Sequence, residues 1–167
     1  MAKARQWPRH TLSEGLLMGL ALHLGVVDIP YQAPGKSKST TTTGDVAEIL
    51  EAKYHVMRLF FELHGPFCAK ALEKGLAGAL EHLLMGAPTK LDPFAEGAGQ
   101  ISDRFKQFLN NREIERLGYP GVPTKAALKG VNHRFAHPYA KANKRRPSFI
   151  DTTLYQDSMR AWVDGKV

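Results

Sequence analysis

The stretch TTGDVAEILEAKYHVMRLFFELHG, residues 42–65, has the strongest helical pattern in the chain. Apolar side chains recur in it every three or four residues, which is typical of a helix with one buried face. Thr43 or Asp45 can cap its start, because a short polar side chain at that position accepts a hydrogen bond from a free backbone N–H. Gly65 and Pro66 are expected to stop or kink it. We therefore predict a fold built around an amphipathic helix that begins near residue 43.

Two more helical stretches follow on the C-terminal side. The first is FCAKALEKGLAGALEHLLMG, residues 67–86, which ends in a glycine shortly before Pro88, as helices commonly do. The second is QISDRFKQFLNNREIERLG, residues 100–118, and its apolar side chains share one face. These are Ile101, Phe105, Phe108 and Leu109. Packing between helices accounts for the whole region, so we assign no chemistry to its residues.

The N-terminal part is predicted to hold a helical segment, residues 1–27, and an extended arm or linker, residues 28–43. We expect a helix over Leu12–Val26. Basic residues precede this apolar run as in a signal peptide, but Glu14 and His23 interrupt it and no small-x-small cleavage site follows, so export is not expected. Prolines, a glycine and a polar tract remove any helical period from the arm. Residues 44–167 are then the helical core.

Composition limits the classes of function. The chain has 167 residues, of which 43% are hydrophobic, so it fits one domain with a core of useful size. Its net charge of +7 favours an anionic partner, which could be a nucleic acid, an anionic membrane or an acidic protein surface. The only cysteine, Cys68, cannot form an intramolecular disulfide, so nothing requires an oxidising compartment. We expect a cytoplasmic origin and no membrane contact.

The positive charge is concentrated in one segment. Between Arg116 and Ser148 there are eight Lys and Arg residues and no Asp or Glu, in a loop predicted over residues 118–148 with a short helix near 124–129. Seven side chains are candidates to face DNA or an acidic partner: Lys125, Lys129, Arg134, Lys141, Lys144, Arg145 and Arg146. With Phe135 and Tyr139 as stacking rings, they could bind single strands without sequence preference. They could equally meet an acidic neighbour or line a passage for DNA.

Catalytic and metal signatures are weak. His133 and His137 have the spacing of a zinc-binding pair, but further ligands are missing and Pro138 ends any helix. His64 lies four residues before Cys68, which raises the possibility of a cysteine-dependent enzyme; a small buried thiol explains the pattern as well. We find no nucleophile elbow, phosphate loop or dinucleotide fingerprint. The sequence predicts no catalytic residue, no cofactor and no metal.

The C-terminal segment, residues 149–164, contains IDTTLYQDSM. It resembles the pattern D-T-G-x-L-x-x-S-I of small neck and tail-completion proteins of tailed bacteriophages. Asp151, Thr152, Ser158 and Met159 match, whereas Thr153 replaces the usual glycine and Tyr155 the usual leucine. A glycine there permits a positive φ that a β-branched threonine resists, so the local backbone is expected to differ.

The resemblance implies a virion protein without enzymatic activity. Such proteins form closed rings on the portal or adaptor, or cap the tail, and keep the DNA path continuous; we expect a homo-oligomer of six or twelve copies. The fold is expected to be α+β, a helix-rich single domain with a small C-terminal β element and extended arms. Asp151 and Thr152 would form a turn, while Tyr155, Met159 and Trp162 would pack on the core or on a neighbour. The alternative function is nonspecific nucleic-acid binding by residues 125–146.

Overall fold

A computed structural model describes residues 20–31, 41–88, 92–131, 143–150 and 153–165 of the chain. The elements in chain order are β1 (Leu20–Val26), α1 (Thr43–Tyr54), α2 (Val56–Leu84), α3 (Ala95–Asn110), α4 (Glu113–Arg116), α5 (Lys125–Lys129), α6 (Leu154–Ser158) and β2 (Met159–Gly165). The predicted α+β class is confirmed, as are the helix-rich single domain and the small C-terminal β element.

The core lies where α2 and α3 pack against each other. Gly97 of α3 meets the backbone of α2 so closely that a Cβ built on it would lie 2.6 Å from the carbonyl oxygen of Ala71. Further along the pair, the rings of Phe60, Phe105 and Phe108 contact one another at centroid distances of 5.2 to 6.2 Å. The four side chains predicted to share one face of the third helical stretch, Ile101, Phe105, Phe108 and Leu109, are all buried, which confirms that prediction.

The opening stretch folds as two helices. Thr42 is the N-cap of α1 and forms a capping box with Asp45, so the cap lies one residue before the predicted Thr43. The helix ends at His55, whose left-handed backbone (φ 50°) separates α1 from α2. The Glu51 carboxylate accepts a hydrogen bond of 2.8 Å from the backbone N–H of Met57 and so caps the start of α2. The break therefore occurs at a residue whose side chain gives no stop signal.

Of the stop or kink predicted at Gly65 and Pro66, the stop does not occur. α2 runs through both residues for 29 residues in all. A proline inside a helix removes one backbone hydrogen bond and costs about 3 kcal/mol. The packing of α2 on α3 on both sides of Pro66 outweighs this local cost.

The predicted helix over Leu12–Val26 is also wrong where it can be compared. Residues 20–26 form strand β1, which pairs antiparallel with β2; residues 12–19 lie outside the described part of the chain. In LALHLGV the leucines alternate with other residues, and this period of two puts Leu22, Leu24 and Val26 on the face that packs against the core. The opposite face carries His23 stacked on Trp162, with ring centroids 5.3 Å apart.

Both ends of the predicted arm over residues 28–43 are attached to the body. Thr43 is buried, and its hydroxyl donates to the carbonyl of Val27 (2.6 Å) and accepts from the N–H of Ile29 (2.9 Å). Pro30 and Thr42 form an isolated β-bridge. Residues 28–31 and 41–43 are therefore part of the fold, while the middle of the predicted arm, residues 32–40, is not among the described residues.

Within the described ranges, no helix combines the length and the apolar composition that crossing a bilayer requires.

Candidate interaction surface

The residues of the C-terminal motif lie mostly in the core. Tyr155 and Met159 are buried, and the buried Ser158 hydroxyl donates to the carbonyl of Tyr155 (2.7 Å). Trp162 is half-buried and covers Gly25, where a Cβ would lie 2.8 Å from the indole ring. Packing on the same chain accounts for the burial of Tyr155 and Met159, whereas contact of the half-buried Trp162 with a neighbour stays a prediction. Asp151 and Thr152 lie outside the described residues.

Thr153 shows how the chain does without the glycine of the phage motif. Its backbone is right-handed (φ −65°, ψ −9°) and begins α6 directly. The motif needs no positive φ at this position, so a β-branched residue fits without strain. That this backbone differs from the backbone of the phage proteins stays a prediction.

The predicted short helix near residues 124–129 is confirmed as α5. The Thr124 side chain caps it by accepting a hydrogen bond from the N–H of Ala127 (3.2 Å). Gly130 ends it in the left-handed conformation, and the backbone of Lys144 passes so close that any side chain at position 130 would collide with it. α5 and the segment 143–150 therefore form one packed unit.

Glu115 holds that unit to the end of α4. Its carboxylate is almost fully buried and accepts hydrogen bonds from the backbone N–H (2.9 Å) and hydroxyl (2.8 Å) of Ser148, and from the guanidinium of Arg145. Burial disfavours the charged carboxylate, but the bonds from Ser148 and Arg145 outweigh burial and lower the pKa of Glu115. The carboxylate thus stays ionised and fixes residues 145–148.

This arrangement divides the seven predicted basic residues. Arg145 pairs with Glu115, and the Arg146 guanidinium donates to the carbonyls of Val131 (3.0 Å) and Ile150. Lys125, Lys129 and Lys144 are exposed. Arg134 and Lys141 lie outside the described residues, as do Phe135 and Tyr139. Arg145 and Arg146 therefore hold residues 145–148 in place and also contribute positive charge.

The exposed part of this unit is a basic surface with apolar positions in it. Exposed cations on α4 and α5 flank two exposed leucines, Leu117 (42% exposed) and Leu128 (47%). We call this set, Arg116, Leu117, Lys125, Leu128 and Lys129, the basic surface. The Ser148 hydroxyl donates to Glu115 and accepts from the N–H of Thr124, so the end of α4 lies next to the start of α5.

The sequence interpretation missed a second surface, at the C-terminal end of α2. α3 begins beside Gly75, where a Cβ would lie 3.0 Å from the carbonyl oxygen of Pro93, so the rest of α2 extends past it. We call residues 76–85 the α2 tip. Four of its side chains are more than half exposed: Leu80 (52%), Leu83 (60%), Leu84 (87%) and Met85 (72%). The helical periodicity was visible in the sequence, but where its partner helix begins was not.

Cys68, the candidate nucleophile of the enzyme alternative, has a thiol in an unreactive environment. Cys68 is fully buried, and burial raises its pKa to about 11, so the nucleophilic thiolate is disfavoured at neutral pH. The ring of His64 instead lies 3.0 Å from the carboxylate of Glu113, which also accepts two hydrogen bonds from Arg104 (2.9 and 3.0 Å). These three side chains link α2, α3 and α4.

The described ranges contain no group of three or more His, Cys, Asp or Glu side chains able to hold a metal ion. His133 and His137, the weighed zinc pair, are not among the described residues.

A scan against protein-family models and searches of curated proteins and of solved structures found no match to this chain. Support for a function therefore comes from the two surfaces and from the phage-like motif of residues 149–164.

Proposed function

We propose that the chain is a structural virion protein that forms a closed homo-oligomeric ring at the head-to-tail junction of a tailed bacteriophage. The ring, of six or twelve copies, joins the portal or adaptor side to the tail and keeps the DNA channel continuous. It is assembled in the host cytoplasm and has no catalytic activity. The observation that carries the proposal is the exposed apolar α2 tip, because a subunit that worked alone would leave this patch in water.

The burial of the motif residues supports a structural role. The segment that resembles the neck proteins ends the fold: α6 places Tyr155 in the core, and β2 supplies the partner strand of β1. Side chains that bind substrate would have to reach a cleft instead. A motif whose side chains shape the subunit is what a ring protein needs.

The distribution of charge supports a position next to DNA. Residues 40–115 contain eight Lys and Arg against eleven Asp and Glu, whereas residues 116–148 contain only basic charges. A ring that turned the basic residues toward its channel would reduce the repulsion between the packed phosphates and the acidic part of each subunit.

The test is the mass of the purified protein in solution. Light scattering at low and high salt, after nucleic acid has been removed, is expected to give a discrete mass of six or twelve subunits. Electron microscopy of the same sample is expected to show rings with a central opening wide enough to admit duplex DNA. An open-ended series of masses, or a particle with no opening, would contradict the proposal.

Nonspecific nucleic-acid binding remains the second candidate, favoured by the exposed side chains of Lys125, Lys129 and Lys144. It predicts a monomer whose affinity for random DNA falls steeply as salt rises. Replacing Lys125 and Lys129 with glutamine would then reduce the slope of log affinity against log salt by about 2, since each phosphate contact contributes about 0.9. A slope that stays unchanged in this variant would exclude these two lysines as the DNA contact.

A further inference from the structure

The α2 tip extends a buried apolar stripe into solvent. Leu72 is packed against the core, and Leu76, Leu80 and Leu84 continue from it at intervals of four residues, one helical turn each. The stripe is about 14 Å long beyond Gly75, at 1.5 Å per residue. Across the described ranges, no element covers its last two turns. A stripe that starts in the core and ends in water indicates a partner that continues the packing.

The charges beside the stripe define which partner fits. Glu81 is exposed beside it, and the α2 tip contains no Lys or Arg; Glu73 is exposed too, next to the exposed Lys74. The carbonyls of Glu81, His82 and Leu83 in the last turn accept hydrogen bonds from the backbone N–H groups of residues 85–87. The C-terminal end of a helix carries a partial negative charge of about half an electron. An apolar partner with basic residues around it would therefore be favoured over an acidic or a purely apolar one.

The chain itself presents a surface of that description. The basic surface carries Leu117 and Leu128 for the apolar contact, and Arg116, Lys125 and Lys129 for Glu81 and the C-terminal end of the helix. The leucines of both surfaces are exposed in the same subunit, so the two surfaces do not cover each other within one copy. A second copy can offer its basic surface to the tip of the first.

We propose that the α2 tip of one copy docks on the basic surface of the next copy, with Leu83 and Leu84 against Leu117 and Leu128. The inference rests on the proposed homo-oligomer and names its interface. Because the two surfaces differ, the contact is heterologous: every copy both gives a tip and receives one, and the chain of contacts closes if the rotation between neighbours allows it. A pairing of two α2 tips would instead stop at a dimer.

Two variants that each lose one surface test the interface. The tip variant carries Leu83→Ser and Leu84→Ser; the basic-surface variant carries Leu117→Ser and Leu128→Ser. All four positions are exposed, so the fold is expected to survive, which circular dichroism checks. Ile49→Ser, at an equally exposed position (59%) on α1, is the matched control and should leave the mass unchanged. Each double variant should weaken the contact about 100-fold and give monomers.

Mixing the two variants gives the sharper result. The tip variant keeps an intact basic surface and the basic-surface variant keeps an intact tip, so the mixture should form a one-to-one dimer of twice the 18.5 kDa chain mass and grow no further. Dimers formed by the basic-surface variant alone would mean that tip pairs with tip, and would overturn the inference.

Failure of the interface can be told from failure of the ring. If both variants keep the closed oligomer of the wild-type chain, this interface is wrong and the ring proposal stands. A wild-type chain that stays monomeric at about 1 mM, together with a mixture that forms no dimer, would overturn the interface and contradict spontaneous ring formation as well.

Discussion

The hydroxyl group of Tyr155 is a polar atom in an apolar place. The side chain is fully buried, the oxygen has no hydrogen-bond partner among the described residues, and burial raises the pKa of the phenol, so it stays neutral. An unpartnered buried hydroxyl costs free energy that a phenylalanine avoids. Tyr155→Phe is therefore expected to leave the free energy of unfolding unchanged or to raise it by up to about 1 kcal/mol, as measured by urea denaturation.

A loss of stability in Tyr155→Phe would contradict this expectation and would show that the hydroxyl is hydrogen-bonded in solution. Tyr155→Ala is the comparison: it removes the ring as well and should cost about 3–5 kcal/mol.

For single residues, the sequence predicted which side chains are buried better than it predicted which hydrogen bonds they form. Tyr155 and Met159 were predicted to pack on the core or on a neighbour, and apolar side chains near the end of a patterned segment are enough for that. The role of Glu115 was not predicted, because it depends on Ser148 and Arg145, which are 33 and 30 residues away in the chain. A single carboxylate on a helix gives no sign that distant donors will surround it.

At the scale of elements, two glycines of α3 make a matched pair. A Cβ on Gly97 would lie 2.6 Å from the backbone of Ala71 in α2, whereas a Cβ on Gly99 would meet nothing within 4 Å. Gly97→Ala is expected to force α3 away from α2 and to cost about 1–3 kcal/mol of unfolding free energy. Gly99→Ala should stabilise the chain by about 0.5–1 kcal/mol, since alanine loses less backbone entropy in a helix.

Urea denaturation of the two alanine variants and the wild-type chain measures both changes. Equal stability of the two variants would mean that the backbones of α2 and α3 do not approach closely at Gly97.

The elements show which local signals can mislead. The helix that begins at Thr43 and a helical stretch from residue 100 were predicted from their periodicity. The bounds of the second prediction, residues 100–118, are wrong: α3 begins at Ala95 and ends at Asn110, and residues 113–116 form the separate α4. β1 was missed because Ala21 and Gly25, which lie between the leucines and Val26 of LALHLGV, weaken the alternation of apolar and polar residues. Its period of two becomes decisive only when Met159–Gly165 supplies a partner strand. Pro66 was expected to stop or kink the helix, but α2 continues through it because α3 packs against α2. Local propensity is thus overridden where a distant element packs.

At the scale of the whole molecule, three titrating groups make the fold sensitive to acid. Burial opposes ionisation of Glu113 and Glu115, but hydrogen bonds from Arg104 to the first, and from Ser148 and Arg145 to the second, lower both pKa values below the usual 4.5. Burial and Arg104 also lower the pKa of His64 below 6.5, against the opposing effect of Glu113. In each case the unfolded chain binds protons more readily than the folded one.

The free energy of unfolding should therefore fall as the pH drops below about 6.5, and more steeply as it passes below about 4.5. Denaturation midpoints measured from pH 7 to pH 3 check this. Glu115→Gln should lower the free energy of unfolding at pH 7 by about 1–3 kcal/mol. It should also make the loss of stability below about pH 4.5 less steep, because the titrating group is gone. Glu96→Gln, at an exposed position of α3, is the control. If the free energy of unfolding falls as steeply with pH in Glu115→Gln as in the wild-type chain, Glu115 does not cause the acid sensitivity.

The two surfaces also differ in how far the sequence could predict them. The basic surface follows from composition, since acidic residues are absent between Arg116 and Ser148. The α2 tip does not, because its leucines have the pattern of core residues and are exposed only because α3 begins beside Gly75. Whether an apolar stripe is core or interface depends on the length of the neighbouring element, which a periodic pattern does not contain.

The pairing of β1 with β2 has a consequence for the synthesis of the protein. His23 and Asp164, joined by a 2.7 Å contact across the two strands, are 141 residues apart in the chain. A ribosome that adds about 5–20 residues per second needs several seconds or more to make the residues between them. Throughout that time β1 is an unpaired apolar strand, open to chaperones or to the same strand of another nascent chain. The helices can form as they are made, but the sheet can form only last.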